Sequence, residues 1–190
     1  MARLLVLLAA LALVVAGCGG SDSGSDEGPA QTASGCQPLV GGTTGPTSFN
    51  GSEETLFLTD GGVEGRDCTD RVTFGFRDDA TAPPGYDIKY AAASQGVFQD
   101  TAGNPIEVAG QAFLIVALTP VMTADVSGDS TDKTYAGPNR IAGEGTSSVQ
   151  EVVKTDDFES VVTWVIGLDR EQPYTAKATK TQLVIDIQNP

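Results

Sequence analysis

The chain has 190 residues, 11 Lys+Arg against 25 Asp+Glu and no histidine, giving a formal net charge of −14. Such a length allows one domain with a proper core and argues against two. So acidic a surface repels phosphate backbones and anionic headgroups, which disfavours nucleic-acid binding and electrostatic membrane docking; solubility is its plainest use.

Residues 1–17 begin with one basic side chain, Arg3, continue in an apolar run and end in small residues. This is the layout of a signal peptide, too short to span a bilayer, with an uncleaved anchor helix as the alternative. Val15-Ala16-Gly17-Cys18 resembles a bacterial lipobox, in which the cysteine is lipidated and becomes the first mature residue. A diacylglyceryl group with palmitate-type chains on Cys18 then holds the membrane stably, as a single chain does not. The expectation is a lipoprotein anchored in the cell membrane on its extracytoplasmic face. Losing the leader removes Arg3 and no acid, so the mature chain is one charge more negative.

After Cys18, residues 19–35 (GGSDSGSDEGPAQTASG) have no apolar face. Residues 18–35 therefore read as a lipidated cysteine and a flexible tether reaching roughly 20–25 Å, which keeps the domain close to the membrane. The folded domain is expected over 36–190. With Cys18 assigned, Cys36 and Cys68 form an even pair, which in an exported chain reads as a disulfide contributing roughly 3–4 kcal/mol. Two free thiols are the alternative. A metal pair is disfavoured without histidine or a Cys-x-x-Cys motif, and no metal or other cofactor is expected.

From Cys36 onward, Gly, Pro and Asn breaks punctuate short runs with strand character. Residues 54–59 (ETLFLT) are the first. Residues 70–77 set Val72, Phe74 and Phe76 against Arg71, Thr73, Gly75 and Arg77. Residues 86–91 place Tyr86, Ile88 and Tyr90 on one face; 97–98 and 106–108 are shorter. Residues 112–118 (AFLIVAL) are apolar throughout and suit a strand covered on both faces. Residues 121–148, rich in Ser, Thr, Gly and Asp, read as a long loop, either functional or a tolerated insertion.

Four further runs follow: 149–154, 159–168 (ESVVTWVIGL), 174–178 and 182–188. β-Branched residues crowd a helix but pack well in a pleat. Asp156-Asp157 as a cap leaves a helix over 158–166 as the alternative. In the strand reading, Trp164 shares a core face with Val162, Ile166 and Leu168, and near the C-terminus Leu183, Ile185 and Ile187 face inward. The fold class is all-β: a single antiparallel β-sandwich or open barrel of about nine strands.

The residues offer little catalytic chemistry. Without histidine, Ser-His-Asp and Cys-His nucleophiles lack a base. No G-x-S-x-G elbow or phosphate-binding loop is present. Asp156, Asp157, Glu159 and Asp169 are candidates for a carboxylate pair acting on a sugar bond, with solvated strand ends as the plainer reading. Asp125, Asp129 and Asp132 could gather around calcium, but their spacing misses the EF-hand pattern. Tyr86, Tyr135 and Tyr174 stand beside Gly or Pro breaks, where flat rings with polar tips suit ligand contacts; partly buried edge aromatics are the alternative.

DFESVVTWVIGLDREQPY (157–174) and TQLVIDI (181–187), together with RVTFGFRDD and PPGYDIKY (within 71–90) and AFLIVALTP (112–120), resemble the AMIN-like domain of actinobacterial lipoproteins. The resemblance runs from about residue 54 to residue 189. It implies a β-sandwich related to the AMIN modules of cell-envelope proteins, which bind peptidoglycan or envelope partners, and it carries no catalytic residues. The leading expectation is a non-enzymatic, membrane-tethered binding module for peptidoglycan or an envelope protein. A carboxylate-based hydrolase of wall glycans and a lipid or small-molecule carrier are the alternatives.

Overall fold

The computed structural model describes residues 35–92 and 96–190. The leader, the motif ending in Cys18 and the tether up to residue 34 lie outside the described residues. Among the described residues the chain is all strand and turn. The first half gives β1 (Thr47–Phe49), β2 (Leu56–Gly65), β3 (Thr69–Phe76), β4 (Gly85–Tyr90), β5 (Val97–Gln99), β6 (Pro105–Glu107) and β7 (Ala112–Thr119). The second gives β8 (Val121–Met122), β9 (Ala124–Asp125), β10 (Asp132–Lys133), β11 (Arg140–Ala142), β12 (Val149–Phe158), β13 (Val161–Leu168), β14 (Tyr174–Ala178) and β15 (Gln182–Gln188).

Alternation in sequence becomes alternation in burial. Along β3, Asp70, Val72, Phe74 and Phe76 are buried while the residues between them are half-exposed. β15 pairs antiparallel with β3, setting Leu183 opposite Phe74 and Ile185 opposite Val72, and its Leu183, Ile185 and Ile187 are fully buried. These strands belong to a five-stranded sheet ordered β14-β15-β3-β2-β8, in which only β8 runs parallel to its neighbour β2. A six-stranded antiparallel sheet, β1-β4-β7-β13-β12-β11, faces it.

The core lies between the two sheets. Leu58, Val72, Phe74 and Ile185 from one sheet meet Ile88, Val116, Leu118, Trp164 and Ile166 from the other. Trp164 is fully buried, 5.3 Å from the ring of Phe74 and 5.7 Å from that of Tyr135. The alternate residues of β7 and β13 point the other way. There Phe113 and Val165 pack with Phe98 and Ile106 of the β5–β6 ribbon. A lid on the outer face explains why β7 is apolar from Ala112 through Leu118. The architecture is the expected sandwich.

One local alternative falls away and one local expectation changes. No helix forms over 158–166: β12 continues to Phe158, a two-residue turn follows, and β13 returns from Val161. Glu159 (φ 49°) and Ser160 (φ 61°) both lie in the left-handed region, as a primed hairpin turn requires. The stretch 121–148, read as a loop, carries β8, β9, β10 and β11. Each is two or three residues long, too short to leave a period in sequence, and each owes its pairing to a neighbouring strand. With β1 they raise the strand count above nine.

Candidate functional site

The candidate site lies at one end of the six-stranded sheet. Antiparallel pairing brings together the exit of β4, the start of β7 and the exit of β13: Tyr90 lies opposite Leu114, and Ala112 opposite Leu168. Where the chain leaves these strands, a shallow open cleft of about 310 Å³ lies on the surface. Its apolar part is Ala91, Ala92, Ala112 and Phe113; its polar part is Gln111, Asp169, Arg170 and Glu171.

Backbone bonds hold these walls. Ala91 N donates to Phe113 O at 2.8 Å, Gln111 N to Leu168 O at 2.7 Å, and Asp169 N to Ser148 O at 3.0 Å. Tyr90 clamps the following turn: its hydroxyl donates to Gln172 O at 2.6 Å and accepts from Gln172 N at 2.9 Å. Burial pushes the Tyr90 hydroxyl up to about 12, and the nearby carboxylates of Glu171 and Asp169 act in the same direction. The phenol therefore stays neutral at physiological pH and serves as a fixed hydrogen-bonding post.

Within the cleft, Asp169 Oδ2 accepts from Arg170 Nε at 3.0 Å. Asp169 Oδ1 is covered and has no hydrogen-bond partner among the described residues. Two carboxylates and one guanidinium leave the cleft with a net formal charge of −1. Its lining joins small apolar side chains and one aromatic ring to polar and charged groups.

The same end of the sandwich receives the chain from the N-terminal side. Cys36 and Cys68 are disulfide-bonded with Cα atoms 5.5 Å apart, which ties residue 36 to the turn before β3. Asn189, next to the last residue, closes on that turn, donating from its backbone to Cys68 O at 3.0 Å and from its side chain to Arg66 O at 2.9 Å. From there a short relay leads to the cleft. The buried carboxylate of Asp70 accepts the backbone N–H of Ser147, Ser148 and Val149, and Ser148 O accepts Asp169 N.

The tyrosines proposed as ligand contacts are not brought together on a surface. Tyr174 is fully buried; its hydroxyl donates to Gly45 O at 2.8 Å and lies 3.2 Å from Thr47 Oγ1. Tyr135 is 1 % exposed, donates to Pro138 O at 2.8 Å and lays its edge on Trp164. Both reach back from turns into the core, and burial raises the pKa of each hydroxyl. These two are core residues and offer no ring to a ligand. Tyr86 is half-buried, 5.9 Å from the partly exposed ring of Phe49, and follows the first residue of β4, at the far end of that strand from the cleft.

Of the acids considered for glycoside cleavage, Asp169 stands apart from the other three. Asp156, Asp157 and Glu159 sit at the tip of the β12–β13 hairpin, where Thr101 donates to Asp156 and Thr123 and Lys154 donate to Asp157. Asp169 lies beyond the other end of β13, roughly 25 Å away at about 3.3 Å per residue. A retaining or inverting pair needs about 5–10 Å. Asp125 is engaged by Arg77 and Ser127, and among the described residues no three metal-ligating side chains come together.

Of the cleft residues, sequence reasoning singled out only Asp169, and for a different chemistry. The run Asp169-Arg170-Glu171 directly after the apolar 161–168 was the available signal: three charges at a strand exit.

No curated protein and no solved structure matches the chain. A family model described as "AMIN-like domain" matches residues 57–189, which contain both sheets' central strands and every residue lining the cleft. The chain belongs to the AMIN-like domain family.

Proposed function

We propose that this chain is a non-catalytic binding module that engages peptidoglycan or another envelope component through the cleft at the β4, β7 and β13 ends. The observation that carries the reading is the cleft itself, which joins apolar side chains to a few polar and charged groups without a nucleophile-and-base pair. AMIN-like domains are typically modules of this binding type, which supports it. So does the composition, since a chain without histidine lacks the commonest general base. The carrier alternative finds less support, because Leu58, Phe74, Trp164 and Ile185 occupy the space between the sheets.

In the same reading, Cys18 is lipidated after removal of residues 1–17 and holds the domain at the outer face of the cell membrane through the 19–35 tether. The lipobox resemblance supports this. Fractionation of cells producing the Cys18→Ala protein tests it: the variant is expected in the soluble fraction, and retention in the membrane contradicts the anchor. Incubation with purified peptidoglycan and with membrane extract tests the binding role; recovery of neither ligand contradicts it.

A further inference from the structure

We propose that the β5–β6 ribbon is a lid that swings off the outer face of the six-stranded sheet and lengthens the cleft when it opens. The movement does not depend on the binding-module reading above. Three observations carry it.

The first is that the ribbon is a separate unit. β5 and β6 pair only with each other, Val97 opposite Glu107 and Phe98 opposite Ile106. Among the described residues, no backbone hydrogen bond joins residues 97–107 to either large sheet. The apolar seal is small and lies outside the main core. Phe98 and Ile106, themselves only partly buried, rest with Val108 on Phe113, Val153 and Val165. Segments with few buried apolar contacts open locally at far lower cost than the whole fold.

The second is a pair of hinges. Gly96 enters the ribbon at φ 61° and Gly110 follows it at φ 142°, both in the region that favours glycine. Each is pressed close: a Cβ would stand 2.6 Å from Val108 O at Gly96 and 2.8 Å from Leu168 N at Gly110. The ends of a moving element absorb its change in φ and ψ, and glycine is free to take both the closed and the open values.

The third is a latch made of side chains. Arg140 of β11 donates from Nη2 to Glu107 O at 2.8 Å and from Nη1 to the carboxylate of Glu151 on β12. That carboxylate also accepts Ala109 N at 2.6 Å. At the ribbon's tip the Thr101 hydroxyl donates to Asp156. All of these can break without disturbing a strand pairing of the sandwich.

Phe113 links the lid to the cleft. Its ring lines the cleft and stands 5.6 Å from the ring of Phe98, edge to face. With Phe98 lifted, the cleft continues from Phe113 onto Val165 and its cross-strand partner Val153. The closed-state occupant of this apolar trough is the ribbon itself.

The test places a cysteine on β13 of the full-length protein, at Val165 beneath the ribbon or at Val162 beneath the opposite sheet. Both positions are fully buried and both fall in the tryptic peptide 155–170, so alkylation by iodoacetamide is read by mass on one fragment. Val165→Cys is expected to label at least about tenfold faster than Val162→Cys, because lid opening bares the first and only global unfolding bares the second. Adding Arg140→Ala should speed labelling at position 165 by about tenfold, the scale of a lost charged hydrogen bond, and leave position 162 unchanged. Equal rates at the two positions overturn the proposal, as does an Arg140→Ala effect that is equal on both or absent. Should a cysteine variant fail to fold, hydrogen exchange comparing Arg140→Ala with the unaltered protein decides. The Val108 N–H, bonded to Gly96 O, is expected to lose protection while the β13 amides keep theirs. Loss from both or from neither overturns the lid. No wall ligand enters these measurements, so a failed lid leaves the binding-module reading standing, and a failed pull-down leaves the lid.

Discussion

Asp70 holds Ser148: its fully buried carboxylate accepts the Ser148 backbone N–H at 2.6 Å, and those of Ser147 and Val149 at 3.0 and 2.9 Å. One side chain at the start of β3 thereby fixes the turn that opens β12 on the opposite sheet, and Ser148 O in turn holds Asp169 N. The clamp joins the two sheets at the end that carries the cleft.

Replacing Asp70 with Ala leaves three amides without an acceptor, two of them on the buried residues Ser148 and Val149. At roughly 1–3 kcal/mol for each unsatisfied group, with partial rescue by water, a loss of about 3–5 kcal/mol is expected. Urea unfolding measures it. A midpoint shift worth less than about 1 kcal/mol would show that the turn holds itself.

Reduction of the Cys36–Cys68 bond frees a chain of 32 residues' separation in the unfolded state. The chain-entropy treatment gives a loss of roughly 3–4 kcal/mol. Thermal melting with and without reductant, compared with the Cys36→Ser, Cys68→Ser double variant, reads this directly. The two treatments should agree; melting that ignores both contradicts a stabilising cross-link.

Tyr135 and Tyr174 are core posts, so their hydroxyls act on stability. Tyr174→Phe and Tyr135→Phe each remove a bond to a main-chain carbonyl and should each cost about 1 kcal/mol. Affinity for the wall should stay as it is. A variant that melts normally yet binds less would return that tyrosine to the ligand surface.

At the other end of the sandwich, the Ser127 hydroxyl, with Arg77 and the Ser127 backbone N–H, holds the Asp125 carboxyl down to about 2. A carboxyl whose folded-state pKa lies below its unfolded value favours the fold above the ordinary carboxylate range, and that contribution disappears as pH falls through about 2. Carboxyl-carbon NMR should follow the low titration. Both Ser127→Ala and Arg77→Ala should move it upward; a titration at the ordinary carboxylate value in the unaltered protein contradicts the arrangement.

How much of this was legible in the sequence depended on the kind of physics involved. The faces of β3, β13 and β15 were readable because each is a long strand with one side against the core, so Phe74, Trp164 and Ile185 repeat with period two. The β5–β6 ribbon's effect was readable as well, since β7 is apolar on both faces. Tyr135 and Tyr174 were not, because a Gly or Pro neighbour tells where the backbone turns and not where the ring goes. The short strands from β8 to β11 have no room for a period. The cleft was illegible for a third reason: Ala91, Gln111 and Glu171 are distant in sequence, and only the register of three antiparallel strands makes them neighbours. In sequence Asp169 stands out only beside acids that the length of β13 keeps far from it.

The most direct test of the account is co-sedimentation of the full-length protein with purified peptidoglycan, comparing the unaltered chain with Glu171→Lys. Glu171 is exposed at the cleft, so its replacement should leave the melting temperature alone while reversing the net charge that a ligand meets. The account predicts that the unaltered protein pellets with the wall and that the variant binds at least about tenfold more weakly. An unaltered protein that stays in the supernatant, or a variant that pellets equally well, contradicts it.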